Sequence, residues 1–324
     1  MRTITLGRSG LNVSRIAFGT WQIGGEWGSF DTDAAVQAIQ LARERGVNFF
    51  DTAQAYGFGK SERLLGKALE NDLKYRRDEL VIATKGGINP GGHRPRDAGR
   101  AYLRDGVEQS LRALGVDHID LYQVHWPDPD TPAAETAGAL QELVDEGKIR
   151  HAGVSNYDTA QLTAFDRTRP AETLQPPYHL FRRGIEVDPL PYAREHDIGV
   201  LAYSPLGSGL LTGALTTETT FDADDWRAQS SAFQGENFRH NLAVVDRLSE
   251  FARDRNVTVS QLAIAWVLAQ PGVHVAIAGA RKPAHIETSL AAADVHLTQQ
   301  DLTEIDRITA DAVETGGAEP EGVL

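Results

Sequence analysis

The chain reads as an α/β protein, a (β/α)8 TIM barrel with an N-terminal β-hairpin and two extra helices. Eight short β-rich runs carry this reading, at 16–20, 48–52, 80–85, 119–125, 151–156, 173–178, 199–204 and 274–279. They alternate with amphipathic segments at 33–45, 61–70, 100–114, 132–146, 158–167, 185–196, 259–270 and 284–294. Eight such units over about 260 residues is the count of a barrel. The competing doubly wound sheet usually carries a glycine-rich dinucleotide turn after its first strand, and none stands there. GSGLLTG at 207–213 is a near match with the wrong last spacing, and it follows the seventh run. No linker interrupts the rhythm, so residues 1–324 read as one domain.

The elements follow in order. TITLGRSGLNVSRI alternates around Gly7-Arg8-Ser9-Gly10, which predicts a small hairpin placed to plug the barrel's bottom. Leu103, Val107, Leu111 and Leu114 make a helical stripe, and Gly115 marks its stop. Leu140, Leu143 and Val144 repeat this before Gly147. The connection 207–239 is long enough to suggest a functional cover. Segments 240–255 and 299–309 are the extra helices, and 311–324 reads as a loose tail.

Composition narrows the function. There are no cysteines, which excludes disulfides and thiolate metal sites. No His pair has ligand spacing with a carboxylate partner, so no metal is expected. A net charge of −13 argues against nucleic-acid and anionic-membrane partners. No apolar run reaches the length of a signal core or a membrane helix, so a cytoplasmic location is expected.

In a barrel the C-terminal strand ends share one rim, where the chemistry of such folds sits. The runs end on Asp51, Lys85, His125, Ser155-Asn156 and Gly279-Ala280-Arg281; Gln175 and Tyr203-Ser204 lie in the sixth and seventh. Asp, Lys and His on adjacent strands are costly to bury unless paired. Tyr56 lies in the turn after Asp51. Tyrosine titrates near pH 10, too high for ready proton donation and return at neutrality. An ammonium beside it favours the phenolate. Lys85 can supply that ammonium, Asp51 can orient Lys85, and His125 can donate to a substrate oxygen. The set suits protonation of a carbonyl oxygen as hydride reaches its carbon. Trp21, Trp126 and Phe181 follow strands and are candidates to wall the substrate pocket. Trp266 reads as core, while Trp27 and Trp226 lie in loops without an assigned role.

The segment DTAQAYGFGKSERLLG, with VIATK, DLYQVHWPD, GKIRHAGVSN, LQPPYHLF, LAYSPLGSGLLTG and AGARKPAHI, resembles the aldo-keto reductase superfamily over essentially the whole chain. It is most similar to the bacterial soluble reductases and more distantly similar to potassium-channel β-subunits. The resemblance implies an NADP(H)-dependent enzyme acting on a small carbonyl substrate, with Asp51, Tyr56, Lys85 and His125 as catalytic tetrad. It implies that Ser155, Asn156 and Gln175 hold the nicotinamide carboxamide and that Tyr203 stacks on its ring. Thr20, Trp21 and Asp51 join the cofactor site. Ser204, Leu206 and Ser208 fall on the pyrophosphate loop, and Gly279 to Arg281 on the adenosine phosphate site. His285 and Ser289 are expected at the adenine end of the cofactor site, where they and Thr288 depart from the residues usual there. Two other readings remain open: a lyase using Lys85 as a Schiff base, and a cofactor-binding regulatory subunit.

Overall fold

The computed structural model describes residues 1–25, 27–223 and 225–315. The first fifteen residues form the expected hairpin, β1 (Thr3–Thr5) pairing antiparallel with β2 (Asn12–Ser14). The eight runs become β3 (Ile16–Gly19), β4 (Phe49–Asp51), β5 (Val81–Gly86), β6 (Ile119–Val124), β7 (Ile149–Ser155), β8 (Thr173–Gln175), β9 (Gly199–Ala202) and β10 (Val273–Gly279). They pair in parallel, each with the next, and β10 closes on β3. Among the described residues no helix is long and apolar enough to cross a membrane.

Strand alternation sets which side chains enter the barrel. Phe49, Val81, Ala83 and Leu121 pack inside with Ala17, Leu201 and Val275. Their neighbours Phe50, Ile82 and Tyr122 pack outward against the helical layer. The same alternation therefore sends Asp51 and Lys85, two residues beyond Phe49 and Ala83, to the inner side. Leu6 and Val13 of the hairpin join the interior cluster and close its lower end. Gly7 permits this contact. It has φ +47°, and a Cβ there would fall 2.4 Å from the Gly199 nitrogen.

Three segments differ from expectation. Segment 61–70 is a helix Lys60–Ala68 that breaks at Leu69 before a short helix Glu70–Tyr75. Segment 185–196 is a 3-10 turn, Gly184–Glu186, and then a helix Leu190–Glu195. Pro189 causes this break, because it lacks an N–H and disfavours helical backbone before it. The described part of the tail is not loose. Asn241 and Val313 exchange two hydrogen bonds of 2.9 Å, and Thr315 N donates to Phe181 O at 2.8 Å. Residues 316–324 lie outside the described residues. The two extra helices are Gly235–Arg253 and Gln299–Thr309.

Gly7→Ala tests the plug. The clash with β9 and the strained backbone should lower unfolding free energy by about 2 kcal/mol. A urea midpoint equal to that of the wild type would show that the hairpin does not depend on this approach.

Candidate active site

The site begins with a lysine that has no exposed surface. An ammonium has three hydrogens to place, and Lys85 places all three. Its Nζ donates to Asp51 Oδ1 at 2.6 Å, to the Thr52 carbonyl at 2.9 Å and to the Tyr56 hydroxyl at 3.4 Å. Asp51 is buried too, and its second oxygen accepts from Gln175 Nε2 at 2.9 Å. Three barrel strands thus meet in one paired charge.

Tyr56 reaches the pair from the turn beyond β4. Gly57 gives that turn its path: φ is +60°, and a Cβ would fall 2.2 Å from the Gly24 carbonyl. The buried hydroxyls of Thr52, Ser61 and Thr20 link the turn's two flanks to the first βα loop. The Tyr56 ring lies between Trp21, with centroids 6.3 Å apart, and His125 at 5.6 Å. Burial, then the charges of Lys85 and Arg96, hold the His125 imidazole well below its usual range. His125 is therefore neutral at pH 7 and can donate from one ring nitrogen without carrying charge.

A cleft runs outward from this centre. It is lined by Thr20, Trp21, Asp51, Tyr56, His125, Ser155, Asn156, Gln175, Tyr203, Ser204, Leu206, Ser208 and Gly279. Asn156 sits at φ +63° and spends its amide on the chain itself. Its Nδ2 donates to the His125 carbonyl at 3.0 Å and to Ser155 Oγ at 3.1 Å, and its Oδ1 accepts from Tyr203 at 2.9 Å. Ser155 Oγ donates to the Gln175 carbonyl at 2.7 Å. Gln175, held to Asp51 through Nε2, also lines the cleft. Gly279 faces the Gly19 carbonyl, 3.1 Å from where a Cβ would be, so one wall stays flat. Amide, hydroxyl and aromatic groups along a narrow cleft fit a nicotinamide dinucleotide.

Other expected residues are placed elsewhere. Trp126 and Phe181 do not line the cleft. Trp126 stacks under Arg96 at 4.9 Å, and Phe181 is core, its carbonyl receiving Thr315. Arg281 neither caps the helix Pro283–Ala291 nor lines the cleft; it donates to the Trp27 carbonyl at 3.0 Å. The hydroxyls of Thr288 and Ser289 turn back onto the carbonyls of Ala284 and His285 within that helix, and His285 lies outside the cleft.

The loops add residues that sequence reasoning left without a role. Gln22, Trp27, Gly209 and Thr212 line the cleft. Trp226, from the long 207–239 connection, stacks on Trp21 at 6.2 Å and meets Trp27 edge-on at 5.8 Å. Arg227 lies over the Trp27 ring and donates to the Ser208 carbonyl at 3.2 Å. The only sequence signal for these was tryptophan in loops. Among the described residues no cluster of His, Asp or Glu could hold a metal.

A family model described as the aldo/keto reductase family matches residues 15–310. The NADH-specific methylglyoxal reductase of Escherichia coli (strain K12) is 34% identical, over 97% of this chain and 100% of its own. A solved glycerol dehydrogenase of Gluconobacter oxydans is 41% identical, with TM-score 0.87 and 98% of each chain covered. An aldo-keto reductase from Klebsiella pneumoniae, solved in complex with NADPH, is 31% identical with TM-score 0.77, covering 98% of this chain and 99% of that one.

His179, buried behind the loop at Gly207, gives a test in pH. Burial pushes its imidazole down to about 3. Between pH 3 and 6.5 the unfolded chain binds the extra proton, so stability rises with pH and is lost on acidification below 6.5. From pH 6.5 to 5 this group should remove about 1.5 kcal/mol. Urea midpoints at the two pH values should differ by less in His179→Asn. An equal difference in both proteins would show that His179 titrates normally.

Proposed function

The chain belongs to the aldo/keto reductase family, and from that premise we propose that it reduces an aldehyde or ketone to an alcohol with Tyr56 as general acid. The cofactor is NADP(H), which when bound supplies the hydride. One observation carries the reading: the Lys85 ammonium divides its three hydrogens between Asp51, the Thr52 carbonyl and the Tyr56 hydroxyl.

The roles follow from that arrangement. Tyr56 gives its proton to the carbonyl oxygen as the carbon is reduced, and a phenolate remains. Lys85 stabilises that negative charge in a site shielded from water. Asp51 holds Lys85 in place and balances it. His125, neutral, donates a hydrogen bond to the same oxygen and orients the carbonyl. Gln175, Ser155 and Asn156 meet the nicotinamide end, Tyr203 meets its ring, and Trp21 walls the substrate pocket. A Schiff-base role for Lys85 needs a neutral amine. A carboxylate at 2.6 Å and two further acceptors oppose that state.

Tyr56→Phe should lower kcat by roughly two to four powers of ten with NADPH binding little changed. Lys85→Met should also lower kcat, and the double variant should lose far less than the product of the single losses, because the residues act as a unit. Near-wild-type turnover of an aldehyde by Tyr56→Phe would remove the assignment.

We assign cofactor choice to Arg281, whose guanidinium rests on the Trp27 carbonyl and would turn from it to a bound 2′-phosphate. A guanidinium grips a 2′-phosphate through two hydrogen bonds, and hydrogen bonds to charged groups contribute roughly 1.5–3 kcal/mol. NADPH should therefore be preferred by about one to three powers of ten. Arg281→Ala should raise the KM for NADPH and leave that for NADH nearly unchanged. An equal rise for both would mean that Arg281 acts only by holding the Trp27 loop.

A further inference from the structure

The outer side of β5 carries a second polar cluster. Thr84, next to Lys85, turns toward the helix Lys60–Ala68 and donates to Glu62 Oε1 at 2.7 Å. Glu62 is buried, and burial raises its carboxyl above the usual range. Its other oxygen has no hydrogen-bond partner among the described residues. The same is true of Ser110 Oγ, the Tyr122 hydroxyl and Gln54 Oε1, all buried atoms. Ser110 faces Glu62 closely enough to favour its ionised form, yet outside hydrogen-bond geometry.

Two of these atoms, Tyr122 OH and Gln54 Oε1, lie together against two glycines. A Cβ on Gly106 would meet both Tyr122 OH and Gln54 Oε1 at 3.1 Å. A Cβ on Gly86, from β5, would meet the same two atoms at 1.9 and 3.6 Å. Ser110 lies one helical turn beyond Gly106 on the helix Arg100–Leu114. Gln54 and Glu62 also line an open cleft at the surface, which supplies an entry path for solvent. Buried polar atoms are paired as a rule, and internal water pairs those that the chain leaves over. The donor balance fits one water. Gln54 Oε1 and Glu62 Oε2 can accept its two hydrogens, while the Tyr122 and Ser110 hydroxyls can donate to its oxygen. Burial keeps the Tyr122 hydroxyl protonated and able to donate.

We propose that Gln54, Glu62, Ser110 and Tyr122 enclose a buried water site, and that Glu62, bound to Thr84 and to this water, is a positioning residue that fixes the Tyr56 segment against the strand of Lys85. Glu62 follows Tyr56 by six residues and Thr84 precedes Lys85 by one. Their hydrogen bond therefore spans the two segments whose side chains meet at 3.4 Å. The positioning role rests on the reductase reading above, while the water site does not.

The test combines a high-resolution crystal structure of the NADPH-bound protein with kinetics of Glu62→Gln, Glu62→Leu and Tyr122→Phe. Density for a water within hydrogen-bond distance of at least three of the four atoms is expected, and its absence would overturn the site. NADPH titration by fluorescence counts competent molecules in each variant. Per competent molecule, Glu62→Leu should lower kcat about tenfold with the KM for NADPH within about twofold, since small misplacements of catalytic groups act on kcat. Glu62→Gln, which keeps an acceptor for Thr84, should recover most of that loss. If Glu62→Leu does not fold, Tyr122→Phe carries the kinetic test, with kcat expected to fall about threefold. Wild-type kcat in the folded variants would overturn the positioning role. A wild-type protein that reduces no carbonyl would instead remove the reductase reading, and the crystallographic result would still decide the water site.

Discussion

A fully buried ammonium is the constraint on which the rest of this structure depends. Burying one charge is prohibitive, and burying an ion pair is tolerable only when its remaining hydrogen-bonding atoms are satisfied. Lys85 meets that condition through Asp51, the Thr52 carbonyl and Tyr56, and Asp51 meets it through Gln175. The partners come from β4, β5, β8 and the turn after β4. They converge only because a closed barrel brings those strand ends to one rim. The Tyr56 hydroxyl both meets the ammonium and belongs to a side chain that lines the cleft.

The two ends of the barrel divide the work. The lower end is closed by apolar contact, with Leu6 and Val13 set among the inward residues of the strands. The upper end is polar and covered by loops. Trp21, Trp27 and Trp226 stand together there, and Arg227 ties the long connection back to its own start at Ser208. This cover leaves a cleft that Tyr56 and His125 help to line.

The barrel and its inner site were legible in the sequence because both rest on period and strand ends. Alternation alone places Asp51 and Lys85 inward, and the glycines at 57 and 115 fall at positive φ as turn and helix stop. What was not legible depends on distant partners. Nothing near Arg281 in sequence shows that it holds the Trp27 carbonyl. Nothing near Phe181 shows that it is core, receiving the chain at Thr315. Trp126 sits beside a site residue yet turns to Arg96. The hydroxyls of Thr288 and Ser289 are taken up by their own helix, a local choice open to any helical Ser or Thr. Loops carry Trp226 and Arg227, and loops have no period to read.

The central claim is that Lys85 remains an orienting cation while hydride from the cofactor and a proton from Tyr56 are added across a carbonyl. Its most direct test follows the label from NADPH deuterated at the transferred position of nicotinamide C4, with an aldehyde in ordinary water and the product examined by proton NMR. The account predicts one deuterium on the carbinol carbon of the alcohol and none lost to solvent. Unlabelled alcohol, or a product in which a C–C bond has been cleaved or formed, would contradict it.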